Sequence, residues 1–212
     1  MAPTLLLSRG LVAAGTALFQ RALDAVSDAA LAEPTALSGW TRAHVVAHVA
    51  ANAEALVNLA TWARTGVETP MYASPEQRGA DIEKGALLAP ARLREWFSDS
   101  AAALHTALGA LDGAGWTRLV RTAQGRTVPA TEVPWMRTRE VMVHAVDLAT
   151  GTTFADLPQD FLAALEADIR GKRGEVPEVQ ATLADRVGWL AGRSTAGVTT
   201  SNGPAPVLPP WL

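Results

Sequence analysis

Arg139-Glu140-Val141-Met142-Val143-His144-Ala145-Val146-Asp147-Leu148 reads as one helical run in which Glu140 and His144 stand four residues apart. That spacing turns both side chains onto one helix face, and both are metal-ligand types. Most such pairs are solvated surface contacts worth a few tenths of a kcal/mol. Here Val141, Val143, Val146 and Leu148 leave little room for a broad polar face. The pair is therefore expected to point inward, where a carboxylate and an imidazole without partners would be costly. A second helical run, Thr41-Arg42-Ala43-His44-Val45-Val46-Ala47-His48-Val49-Ala50-Ala51-Asn52, offers His44 and His48, themselves one turn apart. Two packed helices could thus supply three ligands and leave a coordination position open, as in a catalytic metal site. Spacing alone does not choose between His44 and His48.

Outward from these runs the pattern is helical. Leu7, Leu11, Leu18, Leu23 and Val26 recur near helical spacing and predict a first amphipathic helix over 4–26. A second is predicted from Thr41 to Arg64 with Gly66 as terminator, and Trp40 before it reads as a hydrophobic staple. Ser74-Pro75-Glu76-Gln77 combines a cap with a proline at the first helical position, opening a shorter helix that ends near Gly85. Pro90 opens the third long helix through Leu93, Trp96, Phe97, Leu104 and Leu108, where His105 is expected to be a hydrogen-bonded packing residue. Gln124-Gly125 between Trp116 to Arg121 and Arg126 to Ala130 signals a hairpin. The fourth long helix is predicted from Trp135 to Thr150, with Asp147 facing away from the Glu140/His144 stripe as a helix anchor. Four long amphipathic helices imply an antiparallel bundle, whose interior commonly holds metal sites. Further helices are predicted from Gln159 to Arg170 and from Glu178 to Gly192, and the tail from Ser194 reads as connection.

The 212 residues suffice for one substantial core, burying roughly 70% of the unfolded surface, or for one domain with a small appendage. A net charge of -3 and scattered Lys and Arg argue against nucleic acid as a partner. The apolar stretch Leu5 to Phe19 is interrupted by Arg9 and two glycines, so neither a membrane span nor a signal peptide is expected, and a cytoplasmic location is the default. With no cysteines, the chain cannot supply a thiolate ligand or nucleophile, and any thiol chemistry needs a thiol from outside. The planar guanidinium of Arg78 suits a carboxylate-bearing ligand, and Arg193 is a second candidate for such a role.

Gly39-Trp40-Thr41-Arg42-Ala43-His44-Val45-Val46-Ala47-His48-Val49-Ala50-Ala51-Asn52-Ala53, the run from Arg139 to Leu148 and the closing Leu208-Pro209-Pro210-Trp211-Leu212 together resemble the mycothiol-dependent maleylpyruvate isomerase family. The resemblance implies a mainly α fold. It would comprise a DinB-like metal-binding four-helix bundle over 1–152 and a small carboxy-terminal region over 153–212, with strands common in the family missing after Arg170. It implies Zn²⁺, or another divalent metal such as nickel or iron, on His48, Glu140 and His144, with His44 in a packing role. It also favours Arg78 and Arg193 as catalytic and cofactor-binding contacts to substrate or thiol.

The implied function is that of an actinobacterial zinc enzyme, monomer or homodimer. It would use mycothiol to add to an electrophilic unsaturated small molecule, as in cis-trans isomerisation of maleylpyruvate-type substrates. Its alternatives are a mycothiol S-transferase that releases a thioether, and a non-catalytic metal-binding stress protein. A metal hydrolase would need a general base for which the residues offer only weak candidates.

Overall fold

A computed structural model describes residues 4–211. Contacts divide the chain into two compact units, Leu5–Thr150 and the residues from Gly151 on.

The first unit is built on four long helices. Helix α1 (Leu5–Asp24) buries Leu11, Phe19 and Leu23. Helix α2 (Arg42–Thr65) starts where Thr41 is extended and ends at Gly66, whose φ of 79° is the left-handed cap that glycine tolerates without strain. Helix α3 (Pro75–Ala86) is capped by Ser74, whose side chain accepts from Gln77 N–H at 3.2 Å. Proline at the first position opens α4 (Pro90–Gly109). A short α5 (Gly113–Thr117) then leads into a hairpin of β1 (Leu119–Arg121) and β2 (Thr127–Pro129), in which Val120 pairs with Val128. Both valines point into the core beside Leu56, Leu59 and Leu104. Helix α6 (Val133–Asp147) follows.

Helix α2 is the axis of this unit. It packs on α3, α4 and α6, while α1 lies along α6. Its alanines allow that many neighbours: Ala47, Ala50, Ala53, Ala60 and Ala63 are all buried. Glycine does the same where helices nearly touch. A Cβ on Gly15 would lie 2.6 Å from Val141 Cγ2, and one on Gly85 would lie 2.5 Å from a Trp96 ring carbon. Phe19 and Phe97 stack at 4.8 Å across α1 and α4. Arg42 at the start of α2 donates through Nε to the Leu148 carbonyl at 2.7 Å, satisfying the end of α6. The register of α6 against α2 is thus held from both packing and hydrogen bonding.

The second unit holds α7 (Gln159–Arg173), α8 (Leu183–Leu190) and a small hairpin of β3 (Thr199–Thr200) and β4 (Gly203–Pro204). Its core includes Phe161, Leu165, Ile169, Val187 and Trp189. Among the described residues, no helix is long and apolar enough to cross a membrane.

Four expectations are corrected. Helix α8 starts at Leu183 rather than Glu178, because Gln180 is drawn into an extended bridge with Thr199 and Thr182 caps the helix through Asp185 N–H at 3.2 Å. The tail contains the β3–β4 hairpin where only connection was expected. Helix α6 stops at Asp147, three residues early, and Ala149 takes a φ of 53° in the turn that follows. His105 is exposed on α4 rather than packed.

Candidate metal centre

His48 comes from the buried second turn of α2, and Glu140 and His144 from α6. His48 Nε2 lies 2.9 Å from Glu140 Oε2, and His144 Nε2 lies 3.3 Å from the same oxygen. The two imidazole rings meet edge to face at 4.9 Å between centroids. One ligand atom from each of the three residues falls within 4.8 Å of the others. A cation with bonds of about 2 Å fits between donors so spaced. The fit is sharpened by His144 Nε2, which is buried and has no well-aligned hydrogen bond beyond its 3.3 Å ionic contact to Glu140 Oε2, an arrangement that a cation between them would complete.

His44 stands apart. Its Nδ1 accepts from the Thr41 backbone N–H at 3.2 Å and lies 2.7 Å from the Thr41 hydroxyl, while Nε2 faces Glu83 at 3.3 Å. It caps the helix one turn below the centre. Trp40 sets its indole 5.3 Å from the His48 ring, covering a candidate ligand rather than merely stapling the helix start.

The second nitrogens of the two candidate ligands have opposite neighbours. His144 Nδ1 lies 2.8 Å from Asp147 Oδ2, so Nδ1–H donates to a carboxylate and Nε2 is left for a metal. Asp147 therefore faces the site, contrary to the expectation of a helix anchor, and the His-x-x-Asp spacing was its visible signal. His48 Nδ1 instead lies 3.3 Å from Arg78 Nη2. Arg78, from the first turn of α3, also holds its guanidinium 5.8 Å from the ring centroid of Tyr72, the only tyrosine. On α6, one turn before Glu140, Arg137 is fully buried and donates through Nη1 to the Val49 carbonyl at 2.6 Å and to Asn52 Oδ1 at 3.2 Å. Its Nε and Nη2 have no hydrogen-bond partner. Tyr72 and Arg137 were missed in the sequence, although Arg137 shares a helix face with Glu140 through its i,i+3 spacing. Arg193 belongs to the second unit, in the turn after α8, where its Nη1 donates to the Ala191 carbonyl at 2.9 Å.

Electrostatics separate the ligands. Burial pushes the His48 imidazole below its ordinary range and outweighs the pull of Glu140, so His48 is neutral. Burial acts the same way on His144, but Asp147 and Glu140 more than offset it and raise its pKa to about 9. Burial would raise Glu140, yet the two histidines hold its carboxyl well below the usual range. Burial lowers Arg137 to about 10 and raises Tyr72, leaving a cation and a protonated phenol beside the carboxylate.

The sequence profile of the mycothiol maleylpyruvate isomerase N-terminal domain matches residues 12–149, a span that contains all three candidate ligands and Arg78. The chain belongs to that family. Among solved structures, this member of the mycothiol maleylpyruvate isomerase N-terminal domain family is similar to a crystal structure of the mycothiol-dependent maleylpyruvate isomerase. The two share 40% sequence identity with a TM-score of 0.93, over 99% of this chain and 98% of the other. A histidine-to-alanine mutant of that isomerase gives the same figures, 40% identity, a TM-score of 0.93 and coverage of 99% and 98%. No curated protein matches the sequence.

For this family member, the raised pKa of His144 makes metal uptake a competition with a proton. Near pH ~7 the imidazole carries its extra proton, which must leave before Nε2 can bind a cation. Zinc binding is expected to release about one proton per metal, read by calorimetry in buffers of different ionisation enthalpy. The apparent affinity should rise about tenfold per pH unit over ~7 to ~8.5 and level off above about 9, where His144 is already neutral. A pH-independent affinity would contradict the assignment of His144.

Proposed function

We propose that this protein is a mycothiol-dependent isomerase of small unsaturated acids of the maleylpyruvate type, with zinc on His48, Glu140 and His144, working in the cytoplasm. The observation that carries the reading is the convergence of those three side chains, with donor atoms within 4.8 Å, inside the segment that matches the family. The likeness to the mycothiol-dependent maleylpyruvate isomerase, at 40% identity, supports the choice of thiol and substrate class. Nickel or iron suits the same nitrogen and oxygen donors, so the choice of zinc is part of the proposal.

Two neutral imidazoles and one carboxylate leave a net charge of about +1 on a divalent ion and room for a further ligand. A bound zinc would supply the Lewis acidity that keeps a thiol sulfur ionised near neutral pH. Reversible addition of that thiolate to a conjugated cis double bond turns it into a single bond, about which the substrate rotates before elimination restores the trans alkene and the thiolate.

The chain's own residues prepare this chemistry. Asp147 fixes the tautomer and orientation of His144 through the 2.8 Å contact to Nδ1. Glu140 keeps the pocket from carrying excess positive charge and holds both rings at ligand distance. Trp40 packs against His48 and keeps water from that ring face. Arg78 is the cation proposed to receive a substrate carboxylate, and the protonated Tyr72 phenol beside it can donate to an oxygen that gains charge as sulfur adds. Arg193 is retained as a proposed contact to thiol or substrate.

The test is an assay of purified, zinc-loaded protein on maleylpyruvate with and without mycothiol. Trans product that forms only with thiol and metal together supports the proposal. Accumulation of a thioether would convert the reading to an S-transferase, and turnover without thiol would replace it by hydrolysis or another metal reaction.

A further inference from the structure

The two histidines of the centre are held in opposite senses, and the difference lies in what faces their outer nitrogen. His144 has a carboxylate there, 2.8 Å away, which accepts the Nδ1 proton, so that Nε2 is the nitrogen left as a lone pair once the ring is neutral. His48 has Arg78 Nη2 there, 3.3 Å away. A guanidinium carries five N–H donors and no acceptor. For the Arg78 contact to be a hydrogen bond, His48 Nδ1 must accept, and the single proton of the neutral ring must sit on Nε2. That proton is then directed at Glu140 Oε2, 2.9 Å from Nε2, so the whole run from Arg78 through His48 to Glu140 is consistent in one tautomer. It is the tautomer in which His48 cannot bind a cation through Nε2.

We infer that Arg78 and the metal compete for His48, so that loading the centre expels Arg78 from the ring nitrogen and frees it to meet an anion. This rests on the metal centre proposed above. Once Nε2 is a ligand, the proton of the neutral ring is on Nδ1, and two donors face each other. Arg78 must then leave hydrogen-bonding distance of His48. The Tyr72 ring, 5.8 Å from the guanidinium carbon, gives it a second neighbour that does not depend on the tautomer. In the released state the cation lacks an acceptor at His48, and a carboxylate on a bound small molecule supplies one. Thermodynamic reciprocity then makes metal and anion help each other: whatever draws Arg78 away tightens the metal, and the metal strengthens the hold on the anion by the same factor. Arg78 thus acts through His48 as a positioning residue before it touches any ligand, and the coupling between metal and acidic substrate is the same whichever binds first.

The inference is tested by zinc titrations against a competing chelator on the intact chain and on Arg78→Met and Arg78→Gln, with ring nitrogens followed by ¹⁵N NMR. Arg78→Met removes the donor, and Arg78→Gln can turn an acceptor toward Nδ1. Both variants are expected to bind zinc more tightly, by roughly tenfold, the worth of one charge-assisted hydrogen bond. In the metal-free proteins the His48 signal is expected to move from the Nε2–H form toward the Nδ1–H form, a change that loss of a distant positive charge would not produce. Equal or weaker zinc binding in both variants, or an unchanged His48 tautomer, would overturn the inference while leaving the metal centre standing. Absence of zinc uptake by the unsubstituted protein would remove the centre and the inference together.

Discussion

Glu140→Ala and His144→Ala are each expected to abolish stoichiometric zinc binding and, with it, thiol-dependent turnover. If the ~10–16 kcal/mol typical of a structural zinc is shared among its donors, one ligand is worth on the order of 3–4 kcal/mol, a loss of several hundredfold in affinity. The two variants differ in their side effects. Glu140→Ala removes the carboxylate whose charge favours the fully buried Arg137 cation, whose Nε and Nη2 already lack partners. His144→Ala leaves the Asp147 carboxylate, 5% exposed, without its imidazole. Either should cost about 1–3 kcal/mol of metal-free stability beyond the loss of metal. Elemental analysis should therefore be read beside far-UV circular dichroism, so that loss of metal is separated from loss of helix. Full zinc occupancy in both folded variants would refute the site.

The second large effect is expected in the carboxy-terminal unit. Gly192 follows α8 with a φ of 71°, and a Cβ there would lie 2.3 Å from the Pro209 carbonyl oxygen. That carbonyl belongs to the stretch from Pro206 to Trp211, which folds back on the end of α8: Trp211 N–H donates to the Ala191 carbonyl at 3.2 Å, and Trp189 Nε1 donates to the Pro206 carbonyl at 2.7 Å. Arg173 reaches the same turn, donating through Nε to the Leu190 carbonyl at 2.9 Å and through Nη2 to Pro209. Gly192→Ala adds left-handed strain to a clash with backbone rather than with the far end of a flexible side chain. We expect a cost of about 3 kcal/mol or more, and a drop of ~10 °C or more in the melting of the carboxy-terminal unit. Gly10→Ala, on α1 with open space around its Cβ, should by contrast be neutral or slightly stabilising. Equal melting of the two variants would contradict the close approach at Gly192.

Much of the bundle is legible in the chain because its helices carry their own punctuation. Ser74-Pro75, Pro90 and Gly66 mark ends that local chemistry enforces whatever the neighbours do. Helix α8 was misjudged because its start is decided by Gln180 pairing with Thr199, nineteen residues on, a contact that local propensity does not contain. The Glu140/His144 pair is readable since i,i+4 spacing and apolar neighbours are both local. The choice between His44 and His48 is not, as both sit on α2 one turn apart. Family resemblance favoured His48, and the fold gives the reason: the upper residue faces α6 and the lower one folds onto Thr41. Arg137 was invisible for a similar reason. Its burial depends on a carbonyl of α2 that lies 88 positions away.

His48 and Glu140 are separated by 92 positions in a polypeptide that contains no cysteine. A cation gripping both would act as a reversible staple between distant parts of the chain. By the loop-closure estimate used for disulfides, pinning a segment of that length lowers the entropy of the unfolded ensemble by an amount worth about 4–5 kcal/mol. The ion proposed to activate sulfur would then also stand in for the covalent bridge this polypeptide cannot form.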